Sequence, residues 1–194
     1  MSRNMYRSAK EYFTVEGQLC QTLDHKKIDE LADLLLEAHR NNQQVFVFGN
    51  GGSACTSSHW IIELAMSAAS PGHKGLRAYA LPDNVGWLTA LANDYAYEDI
   101  FYYPLSTYAQ PGDVAIAISG SGNSPNIVKA CQWAKGNSVK VVGLTGFSGG
   151  KLKEMADFNI HVPNDNYGII EDLHMSIGHL IGQRLHHTIA GETS

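Results

Sequence analysis

The sequence is poor in cysteine. Its 194 residues include three cysteines, Cys20, Cys55 and Cys131, which are odd in number and widely spaced. That pattern excludes a disulfide framework and a CxxC metal site. We expect Cys55, which lies just inside a predicted helix, to be a small buried residue, because free cysteines are among the most buried residue types.

Long apolar runs and clusters of basic residues are also absent. No stretch approaches the roughly 18 to 20 apolar residues of a membrane span, and the polar N-terminus lacks the apolar core of a signal peptide. Charged residues make up 17% of the chain, whose formal net charge is -5. These absences argue against nucleic-acid and membrane partners and predict a soluble cytoplasmic protein.

The chain does contain an alternation of strand-like apolar runs with helical periodicity. Residues 4–41 predict two N-terminal helices, and residues 168–187 predict a long last helix. Between them lie five apolar runs, at 44–48, 76–81, 114–118, 139–144 and 158–162. This order predicts an α/β protein, a three-layer αβα sandwich with a parallel sheet of about five strands. We predict one domain over residues 1–194, with a helical segment at 1–42 and an α/β core with the C-terminal helix at 43–188.

The first strand leads into a glycine-rich corner. The residues that follow the apolar run Val45–Phe48 are small or carry an amide: Gly49, Asn50, Gly51, Gly52 and Ser53. A strand, a glycine turn and a helix in this order are typical of a ligand-binding corner in an open parallel sheet, and we expect Ser53 to cap the helix. On that helix His59 and Glu63 are four residues apart and share a face. The alternative is an ordinary glycine turn with a surface His–Glu pair.

A second corner follows the third strand. It combines short hydroxyl and amide side chains with glycines and one proline: Ser119, Gly120, Ser121, Gly122, Asn123, Ser124 and Pro125. Backbone N–H groups, hydroxyls and the positive end of a helix suit a phosphate, and Pro125 fits the first turn of that helix. A Ser/Gly linker is the alternative, but a linker would not separate a buried strand from an amphipathic helix. The chain has neither a Walker lysine nor GxGxxG spacing, so we expect no nucleotide cofactor.

Several motifs in a fixed order make the chain resemble a known family. They are GNGGSA with HxxxE on the following helix, then NDYAYE, SGSGNSP and LTGFSGG, within a stretch from about Val45 to Leu185. Together they resemble the sugar isomerase (SIS) domain family, whose fold is flavodoxin-like, and within it the phosphoheptose isomerases. The resemblance implies an enzyme, an aldose–ketose isomerase that converts sedoheptulose 7-phosphate to D-glycero-D-manno-heptose 7-phosphate through an enediol.

The resemblance also implies roles for particular residues. Ser119, Ser121 and Ser124 would bind the substrate phosphate, and Asn50, Ser53 and Asp94 would line the sugar site. Glu63 would be the catalytic base and His179 its partner acid. We also place four further residues among those that bind the substrate: Gly51, Gly52, Gly120 and Glu171. A homotetramer with active sites between subunits is implied as well.

A zinc ion, one per active site, is a candidate cofactor. Some family members bind zinc through the equivalents of His59, Glu63, a C-terminal glutamine and His179, and Glu171 takes the place of the glutamine in this chain. Glu171 and His179 are eight residues apart, a rise of about 12 Å on a straight helix. Either the ligands come from two chains, which we favour, or the first turn is distorted, or one of the two is no ligand.

His174 cannot share a helix face with His179, so we expect it to pack or to lie at the surface, and we expect His186 and His187 on a solvated face.

Two departures from the family pattern bear on the substrate. Ala65-Met66-Ser67 stands where the family usually has an arginine, and Ile169-Ile170-Glu171-Asp172 stands where it usually has Arg-Ile-Gln-Glu. An isomerase of another phosphosugar is therefore one alternative. Another alternative is a non-catalytic SIS-type protein that binds sugar phosphates or has a regulatory role, although the retention of Glu63 and His179 argues against it.

Overall fold

The structure is a computed structural model that describes residues 5–69 and 72–191. Residues 1–4 and 192–194 of the predicted domain lie outside the described residues, as does the first residue of the predicted N-terminal helical stretch. Two helices fill the remainder of that stretch, α1 (Ala9–Thr22) and α2 (His25–Arg40). Asp24 caps α2 by accepting a hydrogen bond from the backbone N–H of Lys27.

Five parallel strands form the centre of the fold. They are β1 (Gln44–Gly49), β2 (Arg77–Ala80), β3 (Val114–Ser119), β4 (Lys140–Thr145) and β5 (Phe158–His161). Their order across the sheet is β2-β1-β3-β4-β5, so the direction of winding reverses between β1 and β3. Such a reversal leaves a crevice outside the carboxyl ends of the two strands, where ligands of open α/β sheets bind. The predicted five-stranded parallel sheet is confirmed.

Helices cover both faces of this sheet. The remaining α-helices are α3 (Gly52–Ile61), α4 (Val85–Asp94), α5 (Tyr102–Tyr108), α6 (Pro125–Gly136), α7 (Gly150–Met155) and α8 (Tyr167–Gly191). A π-helical segment, Ile62–Ser67, continues α3, and two short 3₁₀ turns lie at Leu81–Asp83 and Tyr97–Asp99. In the described ranges, every helix is too short or too polar to cross a bilayer.

Successive side chains of β1 belong to different layers. Val45 and Val47 pack in a core shared with α2, α3 and α8, whereas Phe46 and Phe48 pack in a second core shared with α4, α5, α6 and α7. A strand with helices on both faces has no side exposed to water, which explains why β1 is apolar throughout rather than alternating. The predicted three-layer αβα sandwich is therefore confirmed.

Helix α8 connects the far end of the chain to the crevice. Its inner stripe, which includes Ile177, Ile181 and Leu185, is buried in the core shared with α2 and α3. At its start Ile170 packs so closely on Gly146 that a Cβ there would lie 2.4 Å from Ile170 Cδ1, and Tyr167 packs on Gly120, where a Cβ would lie 3.1 Å from Tyr167 Cε1. The first turns of α8 therefore border the carboxyl edge of the sheet.

The prediction for Cys55 is wrong, because this side chain is exposed. The buried stripe of α3 consists of Ser53, Thr56, Ser57 and Trp60, which recur at helical spacing. The hydroxyls of Thr56 and Ser57 donate to backbone carbonyls one turn earlier, so they can be buried without loss of hydrogen bonds. Small hydroxyl residues, not the cysteine, thus occupy the inward positions.

Candidate active site

The two glycine corners predicted from the sequence meet at the crevice. β1 and β3 are neighbours with Gly49 opposite Ile118, so the loops that follow them lie side by side. Between these loops and the start of α8 lies a concavity of about 140 Å³. It is lined by residues of both corners and of α8: Asn50, Ser53, Ile118, Ser119, Gly120, Ser121, Ser124, Tyr167 and Glu171. The structure therefore brings together most of the predicted substrate-binding residues.

The first corner places its backbone close to the sheet and to α8. A Cβ on Gly49 would lie 2.7 Å from the carbonyl oxygen of Ile118, so only glycine permits this approach. Gly51 has a φ of 59° and is the N-cap of α3. The prediction that Ser53 caps this helix is wrong, because α3 begins at Gly52 and Ser53 is already in its first turn. Ser53 instead lines the concavity.

An amide pair joins the two corners. Asn50 Nδ2 donates to Asn126 Oδ1 at 2.9 Å, and Asn126 Nδ2 donates to Asn50 Oδ1 at 2.8 Å. The hydroxyl of Tyr97 donates to the same Asn50 oxygen at 3.1 Å. Asn126 is buried in the first turn of α6. This network fixes the amide of Asn50 relative to the second corner.

The second corner directs its hydroxyls toward the concavity. Ser119 Oγ accepts a hydrogen bond from the backbone N–H of Gly122, and Ser121 Oγ accepts one from that of Asn123. A hydroxyl that accepts in this way keeps its own hydrogen for a ligand. Ser124 is the N-cap of α6 but, among the described residues, its side chain makes no capping hydrogen bond, and Pro125 begins the helix as predicted. Three hydroxyls at an uncapped helix N-terminus form a suitable anion site.

The loop after β4 braces this corner. The N–H of Gly146, in this loop, donates to the carbonyl of Gly120, and the N–H of Leu152, in helix α7 just beyond the loop, donates to that of Gly122. Gly122 has a φ of 65°, and a Cβ there would lie 1.8 Å from the carbonyl oxygen of Gly149. The LTGFSGG segment thus supports the serine corner from behind.

A second group of polar side chains lies on α3, the π-helical segment and α8. Glu63 Oε1 is 3.5 Å from His59 Nε2 and 3.2 Å from His179 Nδ1. Only 12% of the Glu63 side chain is exposed, whereas the two imidazoles are about a third to a half exposed, at 36% and 46%. The carboxylate therefore lies between two imidazoles that are partly open to solvent.

The backbone at Glu63 departs from an α-helix. Glu63 lies in the first turn of the π-helical segment, and its carbonyl accepts from the N–H of Ala68, five residues on. Gly182 of α8 packs so closely that a Cβ there would lie 2.7 Å from Glu63 Oε2. π-helical turns are uncommon and occur often at functional sites. This one sets the carboxylate against His179.

The same three residues have the donor set of a metal site. One ligand atom from each of His59, Glu63 and His179 can be chosen so that all lie within 4.8 Å of one another. His59 Nε2 is buried and, within the described part of the chain, has no hydrogen-bond partner. Two imidazoles and a carboxylate with an open position are a common catalytic zinc set, so these residues fit the ion.

Glu171 does not join this cluster. Its carboxyl group lies against Gly52, where a Cβ would be 2.2 Å from Oε2, and it lines the concavity beside the serines. α8 is regular from Tyr167 to Gly191, which removes the alternative of a distorted first turn. Burial, with a smaller contribution from the neighbouring carboxylate of Asp172, raises the pKa of Glu171.

The other predicted residues are placed as follows. Asp94 is exposed at the end of α4, where it accepts a hydrogen bond from Asn93, and it does not line the concavity in the described chain. His174 is fully buried and faces the carbonyl of Thr145, and burial lowers its pKa to about 4. His186 and His187 are exposed, as predicted.

Sequence reasoning missed three residues of the site. Tyr167 walls the concavity by packing its ring on Gly120 and on the ring of Phe147. Asn126 and Tyr97 hold Asn50. Asn126 directly follows the motif SGSGNSP and Tyr97 lies within NDYAYE, so these motifs point to both residues. Tyr167 lies at the start of a helix, and no motif of the sequence points to it.

Comparison with known proteins gives consistent matches. The SIS domain family model matches residues 11–146. A probable phosphoheptose isomerase of Thermoplasma acidophilum is 37% identical over 178 residues, which cover 89% of this chain and 94% of that protein. The phosphoheptose isomerase of Mycobacterium tuberculosis is 40% identical over 164 residues, which cover 82% of this chain and 81% of that protein.

Solved structures agree with these sequence matches. The chain is similar to the structure of a phosphoheptose isomerase from Francisella tularensis, with a TM-score of 0.85 and 29% identity over 92% of this chain and 96% of that one. It is also similar to the phosphoheptose isomerase of Neisseria gonorrhoeae, with a TM-score of 0.83 and 27% identity over 91% of this chain and 95% of that one.

Proposed function

The chain belongs to the SIS domain family, and we propose that it is a phosphosugar isomerase acting on sedoheptulose 7-phosphate. The product is D-glycero-D-manno-heptose 7-phosphate. The observation that carries the proposal is the Glu63 carboxylate, held between two imidazoles on helices that also border a serine-lined anion site. An aldose–ketose isomerase needs both parts, one for the proton transfer and one for the phosphate.

The phosphate binds at the second corner in this proposal. Ser119, Ser121 and Ser124 offer hydroxyl hydrogens, and the N-terminus of α6 offers a positive dipole end. Asn50 and Ser53 face the same concavity and can bind the sugar hydroxyls. The serine hydroxyls and the helix N-terminus thus stabilise the negative charge of the phosphate, a role that a basic side chain has in other phosphate sites.

The chemistry is a proton transfer between adjacent carbons. Glu63 removes a proton from C1 of the ketose, next to the C2 carbonyl, and returns it to C2 of the enediol. His179 moves a proton between the oxygens on C1 and C2. General acid and base groups of this kind each contribute about 10²- to 10⁴-fold to a rate.

Zinc is a candidate cofactor of this site. His59, Glu63 and His179 would hold it, and the assignment is supported by His59 Nε2, which is buried and makes no hydrogen bond among the described residues although Glu63 Oε1 lies 3.5 Å away. When bound, zinc polarises a carbonyl and stabilises developing negative charge on oxygen. Glu171 is far along α8 from His179, so it could be a ligand only if it came from another subunit.

An assembly with shared sites fits the separation of the two parts. Glu171 and His179 are eight residues apart on one regular helix, a distance of about 12 Å. A sugar phosphate bound at the serines of one subunit would meet the Glu63 cluster of a neighbour. We therefore propose a homotetramer with active sites between subunits, and the cytoplasm as its location.

The first experiment is an NMR time course with sedoheptulose 7-phosphate, with and without added zinc. We expect conversion by the unaltered protein and a loss of at least about 10²-fold in Glu63→Gln and His179→Asn. His187→Asn is the matched control, because His187 is an exposed histidine on the same helix and lies outside the site. If the protein binds the sugar phosphate without converting it, the assignment to sedoheptulose 7-phosphate is wrong, and either another phosphosugar or a non-catalytic binding role takes its place.

Mixed assemblies test the shared site. Glu63→Gln and the double variant Ser121→Ala/Ser124→Ala are each expected to be inactive alone. If one subunit supplies the serines and another supplies Glu63, co-expressed equal amounts regain about a quarter of the activity, because a quarter of the sites then combine two intact halves. No recovery, with mixed tetramers present by mass spectrometry, would show that each site is built from one chain.

A further inference from the structure

The carboxyl group of Glu171 lies over the start of α3. A Cβ on Gly52, the first residue of that helix, would lie 2.2, 2.5 and 2.6 Å from Oε2, Cδ and Oε1 of Glu171, so the carboxyl packs against the bare backbone of the glycine. The Glu171 carboxyl therefore covers the start of α3, the end of a helix at which an anionic ligand would otherwise be favoured.

Glu171 is also the one charged side chain among the described residues that line the concavity. The other lining groups are amide, hydroxyl, phenol, glycine and isoleucine. Two further acidic residues lie on this side of the concavity: Asp172, which follows Glu171 on α8 and adds to the effect of burial in raising its pKa, and Glu16 on α1, whose pKa is raised by burial and in turn by Asp172. The rim on the α8 side is thus negative, while the serine corner is receptive to an anion.

From this arrangement we infer that Glu171 is a specificity-determining residue, which restricts the site to ligands with one anionic group, the phosphate, and an uncharged polyol chain. The inference rests on the proposed function, since it assumes that the phosphate binds at Ser119, Ser121 and Ser124. A ligand that carries a carboxylate beside its sugar hydroxyls would bring a second negative charge against Glu171. A polyol would instead offer hydroxyl donors to that carboxylate.

The discrimination should be measurable, because the concavity is small. Two like charges separated by about 5 to 8 Å near a protein surface repel each other enough to change a dissociation constant by about tenfold or more. Burial of Glu171 reduces the screening of its charge, although the same burial raises its pKa. The dissociation constants are therefore measured at about pH 8, because alkaline conditions favour the ionised form of a carboxyl group.

Two matched probes test the inference. Erythritol 4-phosphate and 4-phosphoerythronate have the same four-carbon chain and the same phosphate, and differ in a primary alcohol against a carboxylate. The dissociation constant of each is measured by calorimetry on the full chain after treatment with a chelator, which removes any metal that could bind the acid. Because the phosphate is common to both, the ratio of the two constants isolates the effect of the added carboxylate.

For the unaltered protein we expect the acid to bind at least about tenfold more weakly than the polyol. In Glu171→Gln this ratio should fall by about tenfold, whereas in Glu16→Gln, the same change outside the concavity, it should stay within about twofold. Equal affinity for both probes in the unaltered protein, or an unchanged ratio in Glu171→Gln, would overturn the inference and leave the sugar-phosphate site intact. If neither probe binds, the proposed phosphate site is wrong and the inference falls with it.

Discussion

The corner after β1 and the corner after β3 are built alike but present different chemistry. Each follows a buried strand, contains a glycine with positive φ and leads into a helix. The start of α6 is open and surrounded by serine hydroxyls, whereas the start of α3 is covered by the carboxyl group of Glu171. Helix α8 causes the difference, since it presents Tyr167 to one corner and Glu171 to the other.

This difference teaches that a glycine corner does not by itself specify a ligand. A residue about 120 positions away in the sequence decides whether the helix N-terminus of the first corner is available. The two corners also differ in how tightly they are packed, and single substitutions can test this second difference.

The largest expected effect comes from adding a methyl group to the positive-φ glycine of each corner, Gly122 or Gly51. In Gly122→Ala the new Cβ would lie 1.8 Å from the carbonyl oxygen of Gly149, so the backbone of one loop must move. We expect a loss of more than about 4 kcal/mol in the free energy of unfolding. Gly51→Ala meets nothing within 4 Å, so only the unfavourable φ of 59° costs stability, about 1 to 3 kcal/mol.

Urea titrations of the two variants measure this contrast. The phosphate affinity of Gly122→Ala should also fall well below that of Gly51→Ala, because Gly122 holds the serine corner together. Equal losses of stability in both variants would mean that the two corners are equally able to rearrange.

The next effect concerns the anchoring of α8, on which the contrast between the corners depends. His174 is buried on α8, and burial lowers its pKa to about 4 from an ordinary value near 6.5. The unfolded chain therefore binds a proton that the folded chain does not, over the range between about pH 6.5 and about pH 4. Stability is complete above that range and falls as the pH is lowered through it, by about 3 kcal/mol in total.

His174→Gln separates this contribution from general acid denaturation. The amide can still donate to the carbonyl of Thr145 but does not titrate. On acidification the free energy of unfolding should therefore fall by about 3 kcal/mol less in the variant than in the unaltered protein. Parallel pH profiles for the two proteins would show that His174 does not titrate in this range.

The sequence predicts the architecture well, because the signals for strands and helices are local and recur along the chain. Each strand is an apolar run between turn residues, and the alternation with helices implies the parallel sheet. The serine corner is also predictable, because its signals lie within one short stretch of the chain: a buried strand directly before it and Pro125 at the start of the helix after it. Here the local signals agree with the tertiary structure.

The remainder of the site depends on contacts that no local pattern encodes. The expected burial of Cys55 is wrong because Ser53, Thr56 and Ser57 fill the inward positions of α3, and the hydroxyls of Thr56 and Ser57 donate to carbonyls of the same helix. The position of Glu171 against Gly52 joins residues about 120 apart in the sequence, and the π-helical turn at Glu63 has no sequence signal. Tertiary packing sets all three.

A smaller effect is expected from the amide pair that joins the corners. Asn126→Asp keeps the acceptor for Asn50 Nδ2 but replaces the donor that binds Asn50 Oδ1 with an oxygen. We expect a loss of about 2 kcal/mol in stability, because a buried hydrogen bond becomes a repulsive contact. The added charge at the start of α6 should also weaken sugar-phosphate binding by more than about tenfold. Asn137→Asp at the other end of α6 is the control, and an equal loss of affinity there would rule out a local role for Asn126.

The smallest effect tests whether Asn50 needs support from outside the two corners. The hydroxyl of Tyr97 donates to Asn50 Oδ1, but Tyr97 is 60% exposed, so water can replace this hydrogen bond. Tyr97→Phe should therefore lower stability by no more than about 0.5 kcal/mol, and the KM for the sugar phosphate should rise by about two- to threefold with kcat unchanged. A fall in kcat with KM unchanged would instead mean that Tyr97 acts in the transition state, and the corners would then not be sufficient to position Asn50 for the reaction.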